Sequence, residues 1–414
     1  MRYSQGFKHC LRTWGAALLL AGASAPANAL VQTINAEFKP DPTAPHLNKF
    51  ENKTPQTGVC PGHMPSTCKQ LGIFSIRTND FQAYSTGPIE ANHADPRQGA
   101  MWQVPSSWRD LTVTHQGTGR TETVQFRIAG IGHRWDVRPG VNVWARPGEY
   151  AWGSAWRNAP SPCTGTNFLA AGVNFALFFW LVPEGAGVCN RVPGSTMTQL
   201  WYSNLEYAYE IRTPNPLEMA SGQYTGSTTY TMGPGADFDF GDVVLPRDNL
   251  FTFNFILDVR HELKVEVPPG GNRVELVPEG GWQAWLNRGR KPSRLFRDQT
   301  VNIWSSSQFK MTLACSLPMG NTCGISDSSG NEVPVEVAVT LPSGLTDAVG
   351  RPVNRLPLRL DGIGTELFQP IRYVDRKPST LHFEITRDHV EQMLGAAESR
   401  TYSGSITVIW DSEV

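Results

Sequence analysis

The chain has 414 residues and nearly balanced charge, with 36 lysines and arginines against 37 aspartates and glutamates. This balance argues against a nucleic-acid partner, because nucleic acids are bound by strongly basic surfaces. The 39 glycines and 31 prolines, taken with the strand pattern described below, favour β-sandwiches over alternating βαβ units.

Residues 1–29 have the pattern of a secretory signal peptide. Arg2, Lys8 and Arg12 form a basic start, and the apolar run WGAALLLAGA is followed by ANA, which fits a cleavage site. About ten apolar residues cannot span a bilayer, which needs about 20. Cleavage before Leu30 would remove three basic residues and no acidic one, so 33 would remain against 37, a formal charge of −4. We therefore expect an exported protein.

Segments in which apolar and polar residues alternate recur along the chain, as expected for strands with one buried face. In order they are DLTVTHQ (110–116), ETVQFRIAGI (122–131), LEYAYEIRT (205–213), YTGSTTYTMG (224–233), LFTFNFILDV (250–259), HELKVEVP (261–268), VPVEVAVTLP (333–342) and STLHFEI (379–385). The apolar run VNFALFFWLV (173–182) predicts a fully buried strand. TRDHVEQMLGAA (386–397) predicts the one good helix, with Thr386 as its N-cap. The pattern predicts an all-β chain.

The best candidate for a linker is VVLPRDN, residues 243–249. Pro246 and the polar residues after it follow a turn-rich stretch and precede a strong strand. We therefore predict a first domain over residues 30–247 and a second over residues 248–414.

Six cysteines lie outside the leader, and an even count in an exported chain predicts disulfides. They are Cys60, Cys68, Cys163, Cys189, Cys315 and Cys323. Fifteen pairings are possible, and short loops close most readily, which favours 60 with 68, 163 with 189 and 315 with 323. A zinc site is disfavoured, because no C-x-x-C or closely spaced histidine pair accompanies these cysteines.

Arginines and aromatic residues are concentrated in GHRWDVRPGVNVWARPGEYAWGSAWRN, residues 132–158. We predict a receptor-binding patch here, formed by Arg134, Trp135, Arg138, Trp144 and Arg146. Indole faces suit sugar rings, and guanidinium groups suit the carboxylates of acidic sugars. The alternative is that the tryptophans fill a sandwich core while the arginines lie on the solvent face of the same strands. Trp135 and Trp144 are the members most suited to a core position.

Two other candidate sites are weaker. The aspartates of DFDFGD (237–242) suggest a cation, but the glutamate of an EF-hand loop is missing, and a turn is the favoured interpretation. His133 and Asp136 have no hydrolase, metalloprotease or P-loop motif beside them. We therefore predict no catalytic residue, no metal site and no cofactor.

Three stretches of the sequence indicate a protein family more specifically than the composition does. They are YEIRTPNPLEMASGQYTGSTTYTMGPGADFDFGD (209–242), LDVRHELKVEVPPGGNRVELVPEGGWQAWLNRGRKP (257–292) and RTYSGSITVIWDSEV (400–414). Together they resemble the tip or initiator subunits of alternate (class 5 type) chaperone–usher pili. This family includes the cable-pilus biogenesis initiator and the colonisation-factor tip adhesins. The resemblance implies two tandem immunoglobulin-like β-sandwich domains, a distal adhesin domain and a base pilin domain that lacks its last strand.

The resemblance also implies partners and a location. These are a periplasmic pilus chaperone, an outer-membrane usher, the major pilin subunit as donor of a complementing strand, and a host or surface receptor at the fimbrium tip. A tip subunit needs no donor strand of its own. The segment LVQTINAEFKPDPTAP (30–45) agrees, since it alternates only briefly before its prolines.

The donor strand is expected to enter a groove between two strands with uncovered apolar faces. The predicted groove residues are Phe251, Phe253, Phe255 and Leu257 on one side and Tyr402, Ile406, Val408 and Trp410 on the other. From pattern alone, the alternative is an ordinary last strand that is paired on both sides. The alternative function is a secreted carbohydrate-active enzyme or lectin with a β-sandwich module. A glycosidase would need two carboxylates about 5–9.5 Å apart across a cleft.

Overall fold

The computed structural model describes residues 29–138, 143–144, 156–289, 291–395 and 400–412. Strands dominate this part of the chain and the helices are short, which confirms the predicted all-β fold. The predicted leader lies outside the described residues except for Ala29, which opens the first strand. No described helix has the length and apolar character needed to cross a membrane.

In the described part of the chain, fifteen strands precede residue 260. They are β1 Ala29–Phe38, β2 Glu51–Asn52, β3 Phe74–Thr78, β4 Ala83–Ser85, β5 Ala100–Trp102, β6 Arg109–His115, β7 Thr121–Arg138, β8 Thr164–Ala171, β9 Phe175–Leu181, β10 Cys189–Arg191, β11 Gln199–Tyr202, β12 Leu205–Arg212, β13 Gly222–Thr231, β14 Val244–Pro246 and β15 Leu250–Val259. Helices α1 Val59–Gly62 and α2 Pro65–Leu71 lie between β2 and β3, and 3-10 turns span Pro96–Gln98 and Pro216–Glu218. The main sheet has the order β14–β4–β11–β7–β6–β13–β15–β1–β2, with β12 and β9 also paired to β7.

Twelve strands follow residue 260 among the residues that the structure describes. They are β16 Leu263–Glu266, β17 Val277–Pro278, β18 Leu295–Ser305, β19 Lys310–Cys315, β20 Pro318–Met319, β21 Thr322–Ser326, β22 Glu332–Thr340, β23 Leu345–Asp347, β24 Leu356–Pro357, β25 Phe368–Pro370, β26 Val374–Ile385 and β27 Ile406–Asp411. Helices α3 Trp282–Arg288 and α4 Arg387–Leu394 complete this part. One sheet has the order β16–β18–β26–β22–β21–β20, and β19 pairs with β27 in a separate two-stranded sheet.

The predicted helix near residue 390 is present as α4. Thr386 occupies the N-cap position with extended backbone, although its side chain makes no capping hydrogen bond. Val390 is fully buried, and Met393 and Leu394 pack against the same core. The apolar stripe at spacings of three and four residues therefore sets the face that α4 buries.

The strand predicted at residues 250–259 is present as β15, but the predicted neighbouring strand was wrong. β15 is antiparallel to β13 and parallel to β1, and each pairing covers all ten residues. Its inward residues Phe251, Phe253, Phe255 and Leu257 are at most 2% exposed in the first hydrophobic core. Alternation correctly marks the apolar face, but it does not say which strands lie alongside. These four residues therefore do not line a groove with the C-terminal strand. The predicted boundary at residue 247 would assign β15 to the second domain, although its inward side chains are buried in the first core.

The N-terminal segment forms a longer strand than its short alternation predicts. β1 runs for ten residues, and its inward positions Leu30, Ile34, Ala36 and Phe38 are buried in the first core. Parallel pairing with β15 fixes its register from Ala29 opposite Leu250 to Phe38 opposite Val259. The segment thus completes a sheet of its own chain.

The buried apolar residues form two large clusters, one up to Val259 and one from Leu295 onwards. His261 lies between them. Its Nε2 is 2.8 Å from the Met219 carbonyl oxygen, and its Nδ1 is 3.2 Å from Ser306 Oγ. The Phe38 ring packs edge-on against the imidazole at 5.6 Å. Burial lowers the pKa of His261. The junction between the clusters is therefore held by specific polar and ring contacts.

The structure contains three disulfides, which join Cys60 to Cys68, Cys163 to Cys189 and Cys315 to Cys323. These are the pairs that short loops favour. The first two lie in the part of the chain before residue 260, and the third closes the turn between β19 and β21. No disulfide links the two clusters, since all six cysteines outside the leader are used in these pairs.

Candidate functional site

The predicted receptor patch is divided between the two faces of β7. Arg134 and Arg138 lie on the outward face, whereas Trp135, one position along, points inward and is only 2% exposed. Trp144 is 5% exposed and is also in the core. The prediction that these two tryptophans contact a receptor was therefore wrong, and the alternative core interpretation is confirmed for both. Arg146 lies outside the described residues.

The buried tryptophans form one aromatic cluster behind the outward face. The Trp156 ring stacks on Trp180 at 5.4 Å and meets Trp102 edge-on at 5.7 Å. Trp135 and Trp144 pack at 5.6 Å in a similar edge-on arrangement. The Trp180 indole nitrogen donates to the Trp156 carbonyl oxygen at 2.6 Å. Aromatic pairs add about 0.5–1.5 kcal/mol beyond area burial, so this cluster supports a rigid sheet.

Strand register places three further aromatic residues beside the two arginines. Trp201 on β11 lies opposite both Tyr84 on β4 and Asp136 on β7, and Asp136 lies opposite Phe175 on β9. Directly opposed residues share one face of a sheet. Tyr84 is 39% exposed, and Trp201 and Phe175 are half-buried. We call this surface the arginine–aromatic face; its members are Tyr84, Arg134, Arg138, Phe175 and Trp201.

The two arginines of this face have different environments. Arg134 donates to both carboxylate oxygens of Asp136 at 2.9 Å, and these bonds raise the pKa of the guanidinium. Its guanidinium also lies 4.3 Å from the centre of the Phe175 ring. Arg138 lies 5.8 Å from the centre of the Trp201 ring and makes no salt bridge with any described residue. Arg138 is therefore the cation available to an incoming carboxylate or sulfate group.

Sequence reasoning missed Tyr84, Phe175 and Trp201, because they come from separate strands. The alternation in QLWY does place Trp201 opposite in direction to Leu200 and Tyr202, which are both fully buried. That signal marks an outward aromatic residue. It does not indicate that β11 lies beside β7, since pairing between distant strands is not encoded in the period of either strand.

Among the described strands, the C-terminal strand β27 has a neighbour on one side only. It is antiparallel to β19 from Lys310 opposite Asp411 to Cys315 opposite Ile406. Along the other edge, Ile406–Trp410 make no backbone hydrogen bond with any residue that the structure describes. Unpaired edges of this kind can accept another strand.

The inward side chains of β27 are incompletely covered. Ile406, Val408 and Trp410 pack against the second core yet remain half-buried, in contrast to the fully buried inward residues of β15. The Trp410 ring lies 5.7 Å from Phe309. Ile409 points the other way and is 40% exposed. Tyr402, before the strand, is also half-buried against this core. We call Ile406–Trp410 with its unpaired main chain the open edge.

The aspartates of DFDFGD serve a turn. Asp239 accepts hydrogen bonds from the backbone N–H groups of Gly235 at 2.9 Å and Gly241 at 2.8 Å, and it pairs with Arg97. Asp242 pairs with the same arginine, which lowers the pKa of its carboxyl group. These contacts use the oxygens that a cation would need, so the turn interpretation is supported. Within the described ranges no group of three or more metal-ligating side chains occurs.

No family profile and no curated protein matches the chain. The solved structures that it resembles include tip adhesins of chaperone–usher pili. One is CfaE, the adhesive subunit of CFA/I fimbria of enterotoxigenic Escherichia coli, at 10% identity and a TM-score of 0.24, with 93% of each chain covered. A chaperone–tip adhesin complex of CFA/I fimbriae biogenesis matches at 9% identity and a TM-score of 0.26, over 93% of this chain and 97% of that chain.

A third match is the CsuC–CsuE chaperone–tip adhesion subunit pre-assembly complex from archaic chaperone–usher Csu pili of Acinetobacter baumannii. Its identity is 8% and its TM-score 0.20, over 93% of this chain and 98% of that chain. At these identities and TM-scores the likeness carries no argument about what this chain does. We therefore take the function from the residues and geometry of this chain.

Proposed function

We propose that the protein is a pilus tip subunit that accepts a donor strand at the open edge and binds a surface receptor through its first part. The single observation that carries the assembly role is the combination found at β27. Its main chain pairs with no described residue on one side, and Ile406, Val408 and Trp410 are half-exposed beside it. An added strand would supply hydrogen bonds and apolar side chains together. The family resemblance of residues 400–414 supports the same role.

In our proposal the groove lies along the open edge, in place of the predicted position beside β15. The strand is supplied first by a periplasmic chaperone and then by the major pilin, with assembly at an outer-membrane usher.

The proposed receptor surface is the arginine–aromatic face. Arg138 provides a free cation beside the Trp201 ring, and Tyr84 provides a second exposed ring. Ring faces suit sugar C–H groups and the guanidinium suits an acidic substituent, so the proposed receptor is an acidic glycan. Losing one charge-assisted hydrogen bond costs about 1.5–3 kcal/mol, or about 10- to 100-fold in affinity.

The receptor proposal is tested by comparing adhesion with pilus number in cells that express variants. Arg138→Gln and Trp201→Ala should reduce adhesion about 10-fold at unchanged pilus number. Arg273→Gln removes an exposed arginine from the second part of the chain and is the matched control. Normal adhesion by both variants would place the receptor site elsewhere.

The tip location is tested separately by immuno-electron microscopy of the tagged protein. We expect one label at the end of each pilus and loss of pili when the gene is deleted. Label along the shaft, or normal pili without the protein, would contradict the proposal. In that case the lectin alternative would account for a glycan-binding face without a role in assembly.

A further inference from the structure

A large cleft lies on the first part of the chain, away from the arginine–aromatic face. Its volume is about 890 Å³, within the range typical of ligand sites. Its walls are the C-terminal end of β1, strand β2, the segment between them, helix α2 and the start of β3. No residue of the arginine–aromatic face borders it.

Three lysines with no ionic partner line this cleft. Lys39, Lys49 and Lys69 are exposed at its walls and form no salt bridge within the described part of the chain. They come from three separate places in the sequence, after β1, before β2 and in the last turn of α2. A bound anion would be attracted to these unpaired ammonium groups.

The acidic residues of the cleft are already engaged. Glu37 pairs with Arg260 at 3.0 Å and with Lys53 at 3.8 Å, and Lys53 also pairs with Glu51 at 2.6 Å. Asp41 accepts hydrogen bonds from the backbone and hydroxyl of Thr43 at 2.8 and 2.7 Å, which lower the pKa of its carboxyl group. Glu37 and Glu51 are thus paired with cations, whereas Asp41 keeps its negative charge, so the three lysines outnumber the one lining acid that forms no salt bridge with a described residue.

Aromatic rings and a fixed wall complete the cleft. Phe50 and Phe74 line it with half-buried rings, which leaves part of each ring open to the cleft. The disulfide between Cys60 and Cys68, both lining residues, joins α1 to α2 and so fixes the wall that carries Lys69. A wall that is already fixed loses less conformational entropy when a ligand binds.

We propose that this cleft binds an acidic saccharide, with the phenyl rings against sugar C–H faces and the ammonium groups of Lys39, Lys49 and Lys69 on sulfate or carboxylate substituents. We call it the lysine cleft. These residues would recognise a sugar ring that carries an anionic group. That group is either the sulfate of a sulfated glycan or the carboxylate of a sialylated glycan. Binding requires no donor strand, so the cleft acts whether or not the protein is assembled into a pilus.

The test is isothermal titration of the full protein with two probes, a heparin-derived hexasaccharide and sialyllactose. The triple variant Lys39→Gln, Lys49→Gln and Lys69→Gln should bind the preferred probe at least 10-fold more weakly. The matched control is Arg273→Gln, Lys291→Gln and Lys377→Gln, which removes the same charge from exposed positions in the second part of the chain and should leave affinity unchanged. Lys→Arg at the three cleft positions keeps the charge and should retain binding.

Several results would overturn the proposal. They are no binding of either probe, equal weakening by cleft and control variants, and binding only to vesicles that contain anionic lipid. Equal weakening would indicate unspecific attraction of a polyanion to the whole surface. All these titrations use soluble protein and need neither a donor strand nor a pilus. A negative result would therefore refute the lysine cleft without bearing on strand binding at the open edge or on adhesion through the arginine–aromatic face.

Discussion

Replacing Val408 with aspartate tests whether β27 accepts a strand. Val408 lies opposite Leu313, and its side chain is half-buried against the second core. In the free protein the new carboxylate keeps part of its hydration, so we expect a loss of about 1–2 kcal/mol of folding free energy. Once a strand covers it, an unpaired buried charge costs several kcal/mol. Since 1.4 kcal/mol is tenfold in affinity, strand binding should weaken by about 100-fold or more.

The assay is thermal unfolding with a synthetic peptide from the N-terminus of the major pilin that we propose as its partner. Peptide at 100 times its Kd adds about 2.7 kcal/mol to the folded state, which raises Tm by about 5–10 °C for a domain of this size. Val408→Asp should show no shift at the same peptide concentration. Ile409→Asp is the matched control, because Ile409 is the next residue and its side chain points away at 40% exposure. Equal Tm shifts for wild type and Val408→Asp would refute the placement of Val408 beneath the added strand. A wild-type Tm that saturating peptide does not raise would refute the proposal that the open edge accepts a strand.

Three further predictions concern the folded state. Desolvation lowers the pKa of His133 to about 3 in the folded protein. As the pH falls below about 6.5, this histidine is protonated in the unfolded chain but not in the folded one, so the free energy of unfolding should fall by about 1.4 kcal/mol per pH unit. His133→Gln keeps a donor for the Asn204 carbonyl oxygen and should flatten this slope in urea titrations between pH 7 and 5; an unchanged slope would exclude His133 as its source. Trp180→Ala should cost about 3–5 kcal/mol in the same assay, and a loss below about 1 kcal/mol would contradict the role given to the aromatic cluster. Replacing Cys315 and Cys323 with serine opens a loop of eight residues and should lower, by about 2–3 kcal/mol, only the calorimetric transition of the second core. A shift of the first transition would contradict this.

Alternation in the sequence was sufficient to predict which side chains of a strand share a face. It places Arg134 and Arg138 together and Trp135 on the opposite side, and the burial of β7 follows this division. The initial prediction grouped these residues because they are close in sequence. In a strand, however, adjacent residues point in opposite directions. The same rule identifies Val408 and Ile409 as the inward and outward residues of β27.

Neighbouring strands could not be predicted in this way. β15 and β1 are joined residue by residue although more than two hundred residues separate them. Likewise Tyr84 and Trp201 become neighbours only through the pairing of β4 with β11. Pairing over such distances depends on the packing of the whole sheet, and no local period records it. The error over β15 and the missed members of the arginine–aromatic face have this one cause.

The contrast between β15 and β27 is the reason why β27, and not β15, is the proposed acceptor of a strand. β15 has β13 on one side and β1 on the other over its full length, so its inward residues are completely buried. β27 has the same alternation but pairs only with β19 among the described strands, and its inward residues stay half-exposed. The strand β1 pairs with β15 over its full length. In the proposed function β27 accepts a strand while β1 stays in its own sheet, which is the polarity proposed for the end of a pilus.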